Sequence, residues 1–513
     1  VVDVSELRGG PIDQPIDVHA TASLDERATT ATVGVGSRGA SLVEIEGRLP
    51  VSLVDVLARR GQAAGRDTPL EATAKLTSTD AARLLAVFGR TEVTSGRIDG
   101  SVTLTGTLGA PKATVRVTAS QLTIPPGPHN KPVRVVERLA INGSWDGGTA
   151  RIDVDGTESG GGALRLAAQV RPDRLRDGTA TVKATRFDLV PLLVFAPGPA
   201  GGMSGVLDAD LRLAGLDLRT AQLAGEIHLR QARIPTAPTI GTLRAATIDA
   251  LVADHEIRIA ADGKLGAGSA SLTGTIALDG AAPNGGKARL TLRKVSPIGS
   301  IEPQITADVN ATLSRDRNQW KAELVVDHGD VVVPSDRGEK LKPAGAPPDM
   351  VFADGRRITR RPMTQQEPTN PIFQVKINLR STRVESKEFR GLIHGQLEMR
   401  ADGEAIAMYG GIEAERGDLD LFGRRYQVDR AAVNFDGSLD PLLDIRITYD
   451  FPEVTTVTEV RGRLSKPDLV MTSDPGTYSQ GQLLGFLLGG EPGGDPQSGP
   501  LQSQVATAGE SLV

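Results

Sequence analysis

Six histidines, His19, His129, His228, His255, His328 and His394, are the residues of this chain best suited to proton transfer or metal binding, and their spacing serves neither. None has a second His or a carboxylate at an interval such as HExxH, which sets two ligands on one helix face. Surface or strand-edge positions are expected for them. Asp153-Val154-Asp155-Gly156 opens like a calcium loop but lacks the remaining ligands and the closing Glu. A hairpin turn is expected there instead. Ser159, in Glu158-Ser159-Gly160-Gly161, lacks the glycine two positions upstream that a nucleophile elbow requires. No GxxxxGK[ST] segment offers a phosphate cradle. Asn142-Gly143-Ser144 and Asn310-Ala311-Thr312 fit a glycosylation triplet at the frequency of chance. Cysteine is absent, which removes disulfides, thiolate metal sites and cysteine nucleophiles together. The expectation is a protein without catalytic residues, metal or cofactor, and not an enzyme.

The composition points to repetition. The 513 residues include 59 Gly and 32 Pro but only 2 Trp, 4 Tyr and 10 Phe. Abundant Gly with Val, Thr, Leu, Ile and Ala suits many short strands joined by tight turns, not several aromatic-rich cores. Lys and Arg number 58 against 63 Asp and Glu, a net charge of −5, so bulk charge gives no claim on nucleic acid or anionic headgroups. The absence of Cys fits an oxidising compartment such as the periplasm. The longest apolar run, around Leu483 to Leu488, falls well short of the ~20 residues of a membrane span. The chain opens at Val1 without Met or a signal peptide and stops at Val513, which we read as a piece or processed region of something longer.

Alternation dominates. Phe373, Val375, Ile377 and Leu379 are separated by Gln374, Lys376 and Asn378, the period of two expected of a strand with one apolar and one polar face. Val102 and Leu104, Val115 and Val117, Leu211 and Leu213, and Ile257 and Ile259 repeat it. So do Leu272 and Ile276, Leu290 and Leu292, Leu397 and Met399, and Ile445 and Ile447. Asp146-Gly147-Gly148, Asp155-Gly156 and Asp279-Gly280 read as turns between strands. Short helices are expected over Ala81–Phe88 and over Phe187–Phe195 around Pro191, where they could cap a section of sheet. A loose repeat is also visible. Gly96 to Gly100, Gly201 to Gly205 and Gly391 to Gly395 each open an alternating run. A second element follows each, at Leu122 to Pro125, Ala232 to Pro235 and Gly417 to Leu421, with a fourth copy at Val331 to Pro334. The Gly-pair spacing is too irregular for a solenoid. We divide the chain into a repetitive β segment (1–334), a Pro-, Gly- and charge-rich loop or linker (335–371), a C-terminal β domain (372–490) and a polar, disordered tail (491–513).

A sheet with one apolar face must cover it. A sandwich or barrel core would produce the same alternation. Alternation alone favours that sandwich or barrel. Few helices and little aromatic filling, taken together with a family resemblance in residues 390–490, move the expected fold to mostly β: an elongated single sheet curled into a trough or open half-barrel, with a few short helices. At ~4.8 Å per strand, a few tens of strands would extend on the order of 150 Å. An apolar strip of that size is expected to hold a ligand needing no hydrogen bonds, such as acyl chains. The floor is assigned to Val102, Leu104, Val115, Val117, Leu211, Leu213, Ile257, Ile259, Leu272, Ile276, Leu290, Leu292, Phe373, Val375, Ile377, Leu379, Leu397, Met399, Ile445 and Ile447. The cluster Arg356, Arg357, Arg360 and Arg361 is expected to be solvated, with headgroup contact as the alternative.

Residues 390–490 also carry a resemblance. Gly417-Asp-Leu-Asp-Leu-Phe-Gly423-Arg-Arg-Tyr426, Val433-Asn-Phe435-Asp-Gly437 and Asp440-Pro441-Leu-Leu-Asp444 resemble, in order, successive hairpin elements of the TamB family's C-terminal domain. Gly462, Pro467, Met471-Thr-Ser473-Asp474-Pro475 and Gln482 to Gly489 resemble the elements that follow. The resemblance implies a β-taco trough conducting phospholipid between the inner and outer bacterial membranes, from the periplasm. It also implies an N-terminal inner-membrane anchor and a C-terminal portion engaging an outer-membrane barrel of the BamA/TamA type, both lying outside this chain. The alternative is a chaperone or assembly factor for outer-membrane proteins or autotransporters, offering strand edges by β-augmentation.

Overall fold

The computed structural model describes residues 1–9, 12–25, 28–37, 39–51, 65–124, 133–193, 203–217, 219–235, 241–296, 303–333, 372–402, 405–421 and 423–489. The expected linker at 335–371, with its arginine cluster, the tail at 491–513 and His129 lie outside them. The chain divides into two units, Val1–Lys264 with Thr273–Asn284, and Leu265–Leu272 with Gly285–Val513.

The first unit begins with β1 (Val2–Gly9), β2 (Ile12–Leu24), β3 (Thr29–Ser37), β4 (Ala40–Leu49) and β5 (Glu71–Asp80), then helix α1 (Ala81–Val87). It continues through β6 (Ser95–Thr107), β7 (Ala110–Ile124), β8 (Val133–Trp145), β9 (Ala150–Glu158), β10 (Ala163–Arg171) and β11 (Arg174–Asp188). The short helix α2 (Val190–Leu193) precedes β12 (Ser204–Ala214), β13 (Gln222–Pro235) and β14 (Thr242–Ala253). From β1 to β14 each strand pairs antiparallel with the next. β15 (Glu256–Leu265), β16 (Gly268–Asp279) and β17 (Ala282–Val295) contribute residues to both units.

The second unit holds β18 (Gln304–Asp316), β19 (Gln319–Val332), β20 (Phe373–Glu385), β21 (Phe389–Ala401) and β22 (Ile406–Leu421). After them come β23 (Arg424–Asp436), β24 (Leu442–Asp450), β25 (Thr455–Arg463), β26 (Lys466–Asp474) and helix α3 (Gln480–Gly489). Neighbours pair antiparallel throughout except β19 and β20, which run parallel from Trp320↔Phe373 to Val332↔Glu385. A parallel pair needs a connection long enough to return the length of a strand, and forty residues separate Val332 from Phe373 in the sequence. In each unit the strands form an open, curled sheet and not a closed barrel, the trough form expected above.

Local chemistry explains the punctuation. The Asp146 side chain accepts from the backbone N–H groups of Gly148 (3.1 Å) and Thr149 (2.7 Å), the geometry of a turn aspartate. Asp279-Gly280 ends β16 with Gly280 at φ 63°, also as expected. Asp155-Gly156 corrects the reading: it lies inside β9, not in a hairpin turn. Ile152, Val154 and Gly156 continue the apolar face there, and Asp155 points the other way, 3.2 Å from Arg165 on β10. A second correction concerns the helix expected over Phe187–Phe195. Phe187 ends β11 opposite Leu207 and is buried, while the helix is the single turn Val190–Leu193. The helix at Ala81–Val87 is found as expected, with Asp80 as its N-cap accepting from Arg83 N–H (3.0 Å).

The glycine repeat and its second element meet in space. Ser95 pairs with Thr123, Ser204 with Arg233 and Gly391 with Gly417. Each contact sits beside a register shift, and positive-φ residues such as Gln121 and Gln231 lie in these shifts. These are β-bulges, which bend and twist a sheet. Gly205 (φ 150°) shows why the motif needs glycine: a Cβ there would lie 3.0 Å from the Ala232 Cα and from a Leu229 methyl.

Candidate functional site

In a ladder, residues directly opposite share a face, so the pairing register shows what the apolar side chains build. In the first unit one line runs Val2, Ala20, Val33, Ile45, Ala74, Val102, Val115, Gly143, Ile152, Ala168, Ala180, Leu213 and Leu223, one residue from each of β1 to β13. A neighbouring line runs Gly100, Val117, Ile141, Val154, Leu166, Val182, Leu211, Gly225 and Val252 across β6 to β14. Leu104, opposite Ala72 and Ala113, belongs to a third. No charged residue interrupts them.

The second unit repeats the arrangement. Ala288, Ala311, Leu324, Ile377, Leu397, Gly410 and Phe435 form one line. Leu290, Val309, Val326, Leu379, Gly395, Ile412, Val433, Leu443 and Gly462 form the next. Leu292 faces Ala307, and Val375 faces Met399 and Ala322. Both lines cross the parallel junction, because parallel partners also share a face.

Burial separates these lines from an ordinary core. Of the twenty residues assigned to the floor, Val102 (40%) and Phe373 (51%) are exposed. Seventeen are half-buried, including Ile257 and Ile259 in β15 and Leu272 and Ile276 in β16. Ile447 alone is buried. A fully buried aliphatic side chain gains about 1.5–3 kcal/mol. A half-buried one forgoes roughly 1 kcal/mol of that, which an apolar ligand can restore.

Ile447 differs because the sheet is covered there. It packs with Tyr426, Val428, Val454 and Met471 under Leu483 and Phe486 of α3. Tyr449, Phe451 and Tyr478 complete an aromatic cluster, with Phe486 5.0 Å from Phe451 and 5.1 Å from Tyr478 between ring centres. Burial pushes the Tyr426 phenol up to about 12, and its hydroxyl has no hydrogen-bond partner among the described residues. In the first unit α1 makes a smaller cover: Ala81 packs with Val93, Ala119 and Leu122, and Val87 with Ile16 and Leu42. The apolar lines are thus half-buried over most of the assigned residues and covered locally by short helices.

Missed by the sequence assignment were Ile141, Ile152, Val154, Leu166, Val182, Val309, Leu324 and Val326, which sit in the same lines. Leu164-Arg165-Leu166 and Ile152-Asp153-Val154 show the same alternation that marked the others, so the signal was present in shorter runs.

The opposite face is polar and laced with cross-strand pairs: Lys183–Asp210 (3.4 Å), Arg430–Asp444 (2.6 Å) and Arg463–Asp436 (2.6 Å). Exposed pairs contribute about 0–1 kcal/mol each, so they fix a wet side more than they stabilise the sheet. His228 lies 2.5 Å from Asp249, which also takes Arg230 at 2.7 Å. Arg230 and then His228 hold the Asp249 carboxyl at about 2, and the Asp249 hydrogen bond raises the His228 imidazole above its usual 6.5. A raised imidazole contributes stability that is complete below pH 6.5 and lost as pH climbs through the folded value. The His228 ring protons should therefore titrate above 6.5 by NMR, and Asp249→Asn should move the midpoint down. A midpoint unchanged by that substitution would remove Asp249 as the cause. Among the described residues no group of three or more His, Asp or Glu could hold a metal. Glu158-Ser159-Gly160-Gly161 is the β9–β10 turn, where the Glu158 carboxylate accepts from Gly160 and Gly162 N–H.

The fold defines a class of protein: in each unit, an open β-sheet whose apolar face is lined up strand by strand and left partly uncovered. The sequence matches the family described as the TamB C-terminal domain over residues 257–513, half of the chain, and the chain belongs to the TamB family. The match reaches back well before the motifs at 390–490. A comparison with curated proteins finds no match. TamB-family proteins are envelope proteins of the translocation and assembly module, with a role in outer-membrane biogenesis and TamA as their outer-membrane partner. Among the described residues no helix is long and apolar enough to cross a membrane.

Proposed function

We propose that this chain conducts phospholipid between the inner and outer membranes, with acyl chains lying on the apolar lines and headgroups facing water. The observation carrying this reading is the half-burial of those lines across successive strands. A core sealed by a second layer would bury them, and a surface meant only for water would not line them up. Acyl chains need no hydrogen bonds and can slide along a floor that offers none. The floor comprises the twenty assigned residues, apart from Ile447 under α3, together with their ladder partners such as Ile141 and Leu324.

A second reading has its own support. β26 pairs on one side only among the described strands, and Leu469 (41%) and Val470 (46%) on it are exposed. Such an edge could add a strand from an outer-membrane protein or a TamA-type barrel. Mass spectrometry of organic extracts of the purified chain separates the two readings. Phospholipid in near-stoichiometric amounts is expected. Its absence from protein purified without detergent would leave strand-edge chaperoning as the better account.

A further inference from the structure

Within the second unit the apolar floor reaches the sheet margin at a place built differently from the rest. Arg315, Trp320, Phe373 and Ala401 stand in one line across β18 to β21. One step further in lie Leu313, Ala322, Val375 and Met399, and beyond them Ala311, Leu324, Ile377 and Leu397. Phe373 (51%), Ile372 (44%) and Leu313 (38%) are among the exposed large apolar side chains. Ile372 is held in place by backbone bonds, its C=O accepting from Trp320 N–H (2.8 Å) and its N–H donating to Ala401 C=O (2.9 Å). The rim is therefore ordered and greasy at once.

Arg315 gives it a charge. Its guanidinium carbon sits 5.5 Å from the Trp320 ring centre, and its Nε donates to the Arg317 carbonyl at 3.2 Å. The neighbouring carboxylate, Asp316, is taken by Lys321 at 2.9 Å. Arg315 thus stacks on an indole with no carboxylate partner among the described residues. A planar guanidinium matches phosphate oxygens bidentately, and tryptophan favours the boundary between apolar and wet surroundings. From Trp320 to Val326 the floor spans ~20 Å at ~3.4 Å per residue. One leaflet of hydrocarbon is ~15 Å thick, half of a bilayer core.

We propose that this rim is a headgroup station, where Arg315 binds the phosphate of a glycerophospholipid whose acyl chains enter past Trp320 and Phe373 onto the Leu324–Ile377–Leu397 line. The assignment rests on the lipid-conducting reading and adds to it a fixed position and a charge requirement. Phosphate bound to an exposed apolar rim calls for an amphiphile, because a free anion would gain nothing from Phe373 or Leu313.

The test uses the full chain carrying Trp145→Phe, which leaves Trp320 as the sole tryptophan. Sonicated phosphatidylglycerol brominated on its acyl chains should quench Trp320, and diacylglycerol with the same chains should bind about tenfold more weakly. Arg315→Gln should weaken phosphatidylglycerol to the diacylglycerol level and leave diacylglycerol unaffected, with circular dichroism unchanged. Equal phosphatidylglycerol binding by the Arg315→Gln chain overturns the station. Competition by millimolar inorganic phosphate as effective as by phospholipid makes it a free-anion site and overturns the lipid assignment. Absence of Trp320 quenching while phospholipid still co-purifies means that another segment or a second copy covers the rim, and again overturns it, with the conduit left standing. If no lipid binds by either readout, it is the conduit reading that has failed.

Discussion

Replacing Ile377 by Arg is expected to cut phospholipid transfer between donor and acceptor vesicles at least tenfold while the protein stays folded. Ile377 lies between Leu324 and Leu397, with Val375 and Leu379 beside it along β20. A guanidinium there breaks the apolar line, because any acyl chain crossing it must strip water from a charge. Folding should survive, since the site is half-buried and an arginine can extend its head to the open side. Two controls fix the interpretation. Ile377→Leu conserves volume and should transfer normally. Asn378→Arg puts the same charge one residue along, on the polar face opposite Gln396, and should also transfer normally. A folded Ile377→Arg chain moving lipid at the parent rate removes β20 from the path.

The largest stability effect is expected from Phe486→Ala. Phe486 is 3% exposed and holds α3 against Phe451 and Tyr478. Truncating a buried Phe costs about 3–5 kcal/mol. For a unit of this size that lowers the transition by roughly 10 °C. Hydrogen exchange should show whether the loss is global or confined to undocking of α3. In the second case Ile447 and Met471 become accessible, and their exposure can be followed by labelling the strands around them. A transition within 2 °C of the parent, with α3 still protected, would mean the aromatic cluster contributes little.

How much of this was legible in the sequence follows from the range of each interaction. Alternation along one strand is local, so the face of Val115, Leu213 or Ile377 could be assigned from its own neighbours. The joining of those faces into lines depends on register, set by turns and bulges. The repeat at Gly96, Gly205 and Gly391 hinted at the bulges without showing that each meets its second element across a hairpin. Asp155-Gly156 was misread because an Asp-Gly pair is a turn signal in isolation. Here the glycine continues the apolar alternation beside Leu139, and the aspartate finds Arg165 on the next strand. Phe187 looked helical next to Pro191, but its pairing with Leu207 decides otherwise. Ile447 could not be told from Ile445 by pattern, since its burial comes from α3, more than thirty residues on. Arg315 and Trp320 flank one hairpin turn, but Phe373 and Ala401 join them only through strand pairing, so the rim as a whole is not visible along the chain.

The parallel junction of β19 and β20 has a bearing on assembly. Every other described pairing joins strands by a short hairpin or a modest connection, whereas this one closes about forty residues. The entropy of closing a loop grows by about 0.6 kcal/mol per doubling, so it exceeds that of a four-residue turn by roughly 2 kcal/mol. Local contacts form before distant ones are rewarded, so the hairpins on either side are expected to form before Trp320 to Val332 and Phe373 to Glu385 meet. Until they do, two greasy margins stand unmatched, and a nascent molecule is most vulnerable to sticking to its neighbours along that single fastening.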